Sequence, residues 1–251
     1  MAYGMYVSAE GAQAQAKRLE VLSNNLANVD TPGFKRDLTV FQARYAAATA
    51  RGHDYHGSGS INDLGGGVQV AGTVTEFGTG PLKQTGVPTD MAIEGEGFFV
   101  IRRENQDYLT RAGDFRLDTN GKLVSQHGDE VLSSEGEPIT IDPELPWYVT
   151  STGQIVQAGS ATELAVVRPQ SLGDLVKVGE RMFSALADTS IVEEGERRVQ
   201  SGFLELSGVN PTTSMVELIE TSRAFEANVN MIKFQDQALG NLIGRLLGGN
   251  R

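Results

Sequence analysis

NPTTSMVELIETSRAFEANVNMIKFQDQALGNLIGRLL, residues 210–247, is the stretch on which the fold turns. Asn210 can accept hydrogen bonds from the first free amides of a helix, and Pro211 suits the first helical position. From there Met215, Leu218, Phe225, Val229, Ile232, Leu239, Ile243 and Leu246 fall on a seven-residue repeat, interrupted only at Ser222 and Asp236. Spacings of three and four keep these side chains on one face, and a heptad pattern this long predicts a partner helix. Ser214 and Glu217 offer a second capping box, and Gly248-Gly249 ends the run. About 36 residues at ~1.5 Å each make a rod of about 54 Å. Such a stripe needs a covering surface.

The other end of the chain carries a similar pattern. Met5, Ala9, Ala12, Ala16, Leu19, Leu22, Leu26 and Val29 advance by threes and fours, which predicts a helix over 2–28. Its alanine-rich first half permits close approach of a neighbour. Asp30-Thr31-Pro32-Gly33 stops it, because proline disfavours helix at Thr31 and glycine invites a turn. Most amphipathic helices pack on a domain of their own chain. The length of these two, and their placement at both ends, favour packing against each other and against copies of the same chain.

Between the helices the text changes. Residues 37–50 read as a shorter helical or irregular piece with Phe41 and Tyr45 on one face. Residues 51–67 are rich in Gly, Ser, His, Asp and Asn and read as a linker. Strand alternation begins at Val68-Gln69-Val70 and resumes over 72–75. From Met91 to about Leu206 the chain is β-rich. Phe98-Phe99-Val100-Ile101 suits a buried strand, and Asn120-Gly121 closes a hairpin between Phe115 and Val124. The sequence therefore predicts an α+β fold: long N- and C-terminal helices forming a coiled-coil-like stalk, with an inserted, mainly antiparallel all-β domain. Residues 1–35 plus 207–251 make the helical part, 36–88 a linker with a short helix and strands, and 89–206 the β-rich part.

Composition narrows function. The 251 residues carry a net charge of -11, which argues against nucleic acid and against an anionic membrane surface. With no cysteine there is neither a disulfide framework nor a thiolate metal site. No run of about 20 apolar residues is present to span a bilayer, and Met1 to Glu10 lacks the pattern of a cleaved leader. His53-Asp54-Tyr55-His56 has two imidazoles but no third ligand nearby, so it reads as polar linker. Asp118-x-Asn120-Gly121 fails as a calcium loop, since Arg116 and His127 occupy the first and last ligand positions. The glycine clusters lack the context of phosphate cradles. No cofactor, metal or catalytic residue is expected; the alternative reading is a periplasmic glycan-binding or hydrolytic β domain working through a carboxylate pair.

Three stretches together resemble one family. SNNLANVDTPGFK (23–35) is similar to the N-terminal signature of flagellar basal-body rod and hook proteins. DMAIEGEGFFV (90–100) with LTRAGDF (109–115) is similar to the family's central β segment, and GFLELSGVNP (202–211) with RAFEAN (223–228) to its C-terminal signature. The resemblance covers most of the chain, in the family's order, and leans to proximal-rod members with distal-rod members a close second. It implies a non-enzymatic axial subunit of the basal-body rod, exported by the flagellar type III apparatus without a cleaved leader. Its implied partners are copies of itself and other rod and axial proteins. The expected assembly interface is the two apolar stripes together with Asn24, Asn25, Asn28, Pro32, Gly33, Phe34, Asn210 and Pro211. The three asparagines are awkward inside a helix because their amides compete with its backbone. They are expected to bond neighbouring copies or to cap the helix end.

Overall fold

The computed structural model describes residues 2–45, 47–55, 57, 65–179 and 181–248. They form two compact units, Met1–Ala27 with Asp37–Glu76 and Asn210–Arg251, and Asn28–Arg36 with Phe77–Val209. Two terminal helices with a mainly antiparallel β domain between them are thus present as the sequence predicts.

The first unit holds α1 (Ala2–Ala27), β1 (Asp37–Ala43), α2 (Ala47–Ala50), β2 (Val68–Thr75) and α3 (Pro211–Gly248). Asn210 caps α3: its Oδ1 accepts from Thr213 N at 3.2 Å and its carbonyl from Ser214 N at 2.9 Å. Ser214, the alternative cap, lies inside the helix and is buried. Helices α1 and α3 pack together. A Cβ added at Gly4 would sit 3.0 Å from Gln235 Nε2, and one at Gly11 3.0 Å from Asn228 Oδ1. Seven residues up α1 match seven residues down α3, so the helices run antiparallel.

Residues 37–43 correct the sequence reading. They are a strand rather than a helical piece, and β1 pairs antiparallel with β2 from Asp37↔Thr75 to Ala43↔Val68, with a bulge between Val40 and Phe41. The alternation of Leu38 and Val40 with Asp37 and Thr39 has period two, and a partner strand lies ready in β2, which runs unbroken through Ala71. This hairpin packs on α1. The stretch read as a linker therefore divides, with 37–76 in the first unit and 77–88 in the second.

The second unit begins with β3 (Leu82–Gln84), β4 (Met91–Ile93), β5 (Phe98–Arg103), β6 (Gln106–Thr110), β7 (Arg116–Leu117), β8 (Leu123–Val124) and β9 (Glu130–Val131). It continues through β10 (Trp147–Val149), β11 (Gln154–Gln157), β12 (Ser160–Glu163), β13 (Val166–Pro169), β14 (Leu175–Gly179), β15 (Met182–Ala185), β16 (Thr189–Ile191), β17 (Val199–Ser201) and β18 (Phe203–Glu205). The main sheet runs β14-β15-β6-β5-β9-β8-β7, with β13 joining β5 to β16. A three-stranded sheet β10-β11-β12 and the pairs β17-β4 and β18-β3 complete it. Among the described residues every strand pairing is antiparallel. The hairpin expected at Asn120-Gly121 forms between β7 and β8, and Asp118 Oδ1 accepts from Asn120 N and Lys122 N across the turn. Two clusters fill the interior. One gathers Phe99, Ile101, Phe115, Leu123 and Leu164; the other gathers Phe98, Leu109, Leu132 and Phe183. Phe98 and Phe99 point to opposite clusters, which is why that apolar run has no polar alternation.

Candidate assembly interface

The apolar stripe of α3 is rotated from the expected seam. Leu218, Phe225, Val229, Ile232 and Leu239 are half-buried, but Met215 and Ile243 are exposed. The side chain of Leu246 lies outside the described residues. Ser214 and Thr221 are buried, while Asn228 and Gln235 are half-buried. These four are seven residues apart, so a polar row that sequence periodicity passed over flanks the apolar one. Thr221 Oγ1 donates to Glu217 O at 2.6 Å and Asn228 Nδ2 to Ala224 O at 3.0 Å, bonds within α3 itself. On the opposite side Val216, Ile219 and Phe234 stand exposed, Phe234 at 67%.

Helix α1 shows a similar rotation. Ala12 and Leu22 are buried and Met5, Leu19 and Leu26 half-buried, whereas Ala9 and Ala16 are exposed. Ala14 and Val21, off the expected stripe, are buried. Both α3 and the β1-β2 hairpin pack on α1, and two covers bury a wider face than one stripe. The hairpin side is held by Arg44 Nη1 donating to Glu10 Oε1 at 2.8 Å, and by the Tyr3 hydroxyl donating to the carbonyl of Gly65.

The asparagines part company. Asn25 is buried and bonds one residue twice, with Nδ2 donating to Asp37 O at 2.8 Å and Oδ1 accepting from Asp37 N at 2.9 Å. Its amide is thus committed to the start of β1 in its own chain. Asn28 Oδ1 accepts from Thr31 Oγ1 at 3.3 Å and its carbonyl from Thr31 N, forming the turn after α1. Asn24 is exposed. Asn210 and Pro211 are exposed at the start of α3.

In the second unit, residues 28–36 are bound by polar groups that the sequence reading left without a role. Gly33 N donates to Glu205 O at 2.8 Å, and Arg181 Nη1 donates to Pro32 O at 3.1 Å. Gly33 has φ +67, and a Cβ there would collide with the backbone of Arg111 and Ala112. Phe34 is buried, with Lys177 Nζ 4.3 Å from its ring centroid. Lys35 Nζ lies 2.5 Å from Glu205 Oε1 and donates to Gly78 O at 2.8 Å. Arg111 Nη1 is 3.3 Å from Glu205 Oε2 and reaches Ile93 O, while Nη2 reaches Gly95 O at 2.6 Å. Side-chain exposure is 2% for Lys35, 4% for Arg111 and 1% for Glu205. Burial pushes both cations below their usual range, against the pull of the Glu205 carboxylate. One anion thus anchors three distant segments. No periodicity in the sequence singles out Lys35, Arg111 or Glu205, which lie in three separate motifs.

These three segments are also what known proteins share. Family models match at residues 5–35 (Flagella basal body rod protein), 92–167 (Flagellar hook protein FlgE/F/G D1 domain) and 200–245 (Flagellar basal body rod FlgEFG protein C-terminal). The flagellar basal-body rod protein FlgF of Caulobacter vibrioides is 32% identical over 231 residues, 91% of each chain. The chain belongs to the flagellar basal-body rod protein family. Rod protein FlgG of Bacillus subtilis is 30% identical over 261 residues, 97% of this chain and 98% of the relative. FlgG of Buchnera aphidicola subsp. Schizaphis graminum is 32% identical over 255 residues, 95% and 97%. FlgF-type and FlgG-type rod proteins are matched at the same level, so identity assigns the family and not the position along a rod. None of these matches favours a glycan-binding or hydrolytic reading. Among the described residues no group of three or more His, Cys, Asp or Glu is placed to hold a metal ion, and no helix is long and apolar enough to cross a membrane. His56, half of the sequence's imidazole pair, lies outside the described residues.

Proposed function

We propose that this chain is a structural subunit of the bacterial flagellar basal-body rod. It joins copies of itself and other axial proteins through α1 and α3, which form a coiled-coil-like stalk in the assembly. The observation that carries this reading is the direction in which α3 presents its apolar groups. Over 38 residues, about 57 Å, a polar row is turned inward while Met215, Val216, Ile219, Met231, Phe234, Leu242 and Ile243 are exposed. A monomer gains nothing from that arrangement, and a helix packed among others gains from every one of those residues. Family membership supports the rest. The chain travels through the flagellar export apparatus and works in the rod, in the periplasmic space, by transmitting force and not by catalysis.

Ile219→Asp combined with Phe234→Asp tests the reading. Both positions are exposed, so the purified monomer should melt as the parent does, while cells carrying the variant should build no rod beyond the point where this subunit enters. Intact rods containing the double variant would overturn assembly through this face of α3.

A further inference from the structure

The outward side of α3 is edged by sulfur. The chain has no cysteine and six methionines. Met91 and Met182 lie inside a core cluster, 0% and 3% exposed. Met5 is half-buried in α1, and Met1 lies outside the described residues. Met215 and Met231, both on α3, are 52% and 51% exposed, and among the described residues they are the two exposed methionines. At ~100° per residue they stand about 160° apart around the helix axis, with Ile219 and Phe234 between them. They flank the face through which this subunit is proposed to join its neighbours.

A thioether is oxidised according to its access to solvent. With hydrogen peroxide, a sulfur lone pair attacks one oxygen, the O–O bond breaks and an S–O bond forms. The departing hydroxide takes the proton of the transferred hydroxyl and leaves as water. Sulfur loses two electrons and the peroxide gains them. The product is a sulfoxide, polar and chiral, and it disrupts an apolar contact that the thioether would fill. For Met91 and Met182 packing blocks the reaction. On α3 it changes the face and leaves the fold in place, since neither Met215 nor Met231 is part of a core cluster.

We propose that Met215 and Met231 form an oxidation-sensitive site on the assembly face of α3. Peroxide converts both to sulfoxides while the subunit is free, and the oxidised face no longer seats against a neighbour. Burial in the rod protects both sulfurs, and a sulfoxide reductase reverses the block. This control rests on the rod-subunit reading above and acts on the same face.

Purified full-length chain and isolated basal bodies are treated with the same dose of hydrogen peroxide and digested for mass spectrometry. In the free chain Met215 and Met231 should gain oxygen at least about fivefold more than Met91 and Met182, and in basal bodies both should fall to the level of that core pair. Cells then carry one of two double variants, each first checked to melt as the parent does. Met215→Leu with Met231→Leu keeps the face apolar and cannot be oxidised, so it should build rods as the parent does. Met215→Gln with Met231→Gln matches the sulfoxide's polarity at similar length and should lower rod yield about tenfold. Equal oxidation of the four methionines in the free chain, or unprotected Met215 and Met231 in basal bodies, overturns the site. Rods at parental yield from the Gln pair, or the same loss from the Leu pair, overturn control by polarity and leave the rod reading standing. Parental basal bodies that lack the chain overturn the rod reading and this site with it.

Discussion

Replacing Glu205 with Gln removes the single anion of a buried cluster and leaves two cations in place. Lys35 and Arg111 keep their carbonyl partners at Gly78, Ile93 and Gly95, but their charge is no longer balanced. Their side chains are nearly inaccessible, so water cannot replace the carboxylate. Breaking a buried ion pair from one side costs about 3–5 kcal/mol. For a unit of this size that is roughly 10–15 °C in melting temperature. Trp147 is the chain's only tryptophan and packs against one of the two core clusters, so its fluorescence during guanidinium unfolding reports this unit.

Two comparisons keep the test specific. With Glu205 gone, the Lys35 amine falls further below its usual range. The unfolded chain then binds more protons than the folded one at pH between the folded Lys35 value and ~10.4, so the stability of E205Q rises as pH increases through that window. A triple variant with Lys35→Met, Arg111→Met and Glu205→Leu removes all three charges together. It should stand within about 2 kcal/mol of the parent, since apolar replacement of a whole buried cluster is often neutral or better. If E205Q costs less than about 1 kcal/mol, or if the triple variant is no better than the single one, the balance of charge in this cluster is not what holds residues 28–36 in place.

Other outcomes follow from single sites. Gly33→Ala places a Cβ against backbone atoms at a positive φ, so it should destabilise the second unit by more than the ~1 kcal/mol of a left-handed alanine alone, measured by the same unfolding curve. Burial pushes the Asp129 carboxyl up, but hydrogen bonds from Arg103 at 2.6 and 3.0 Å and from Ser125 at 2.7 Å hold it below the usual carboxylate range. Its contribution is therefore present above pH ~4 and lost as pH falls through its lower folded value. Asp129→Asn should lower stability at pH 7 by about 1–3 kcal/mol and flatten the acid limb of melting temperature against pH.

Both terminal helices, the capping role of Asn210 and the central hairpin were legible because each has a local cause: a period of three and four, a side chain within reach of free amides, or an Asn-Gly turn. Residues 37–43 were misread because seven residues with one bulge fit either period, and their pairing with 68–75 is a long-range choice. The role of Asn25 was hidden for the same reason, since its partner is a peptide twelve residues on. The buried cluster was invisible to periodicity. Lys35, Arg111 and Glu205 sit far apart in the chain, and only the fold reveals that their charges meet.

The rotation of the α3 seam bears most directly on function. Two helices held by a fully apolar seam would be a stable object on their own, with little left to offer a neighbour. Here the row at 214, 221, 228 and 235 is polar, and the side chains of Thr221 and Asn228 donate to carbonyls of their own helix and not to α1. Gln15 Oε1 and Gln235 Oε1 are buried without a hydrogen-bond partner among the described residues, a penalty of about 1–3 kcal/mol each. Polar groups at a seam fix register and partner choice at a cost in stability. The exposed face of α3 holds the apolar groups that would offset that cost, but only when something covers them. In the assembly proposed above, the helix pair is registered by its own chain and gains stability only from neighbours, a division that suits a subunit that must stay single until it is built in.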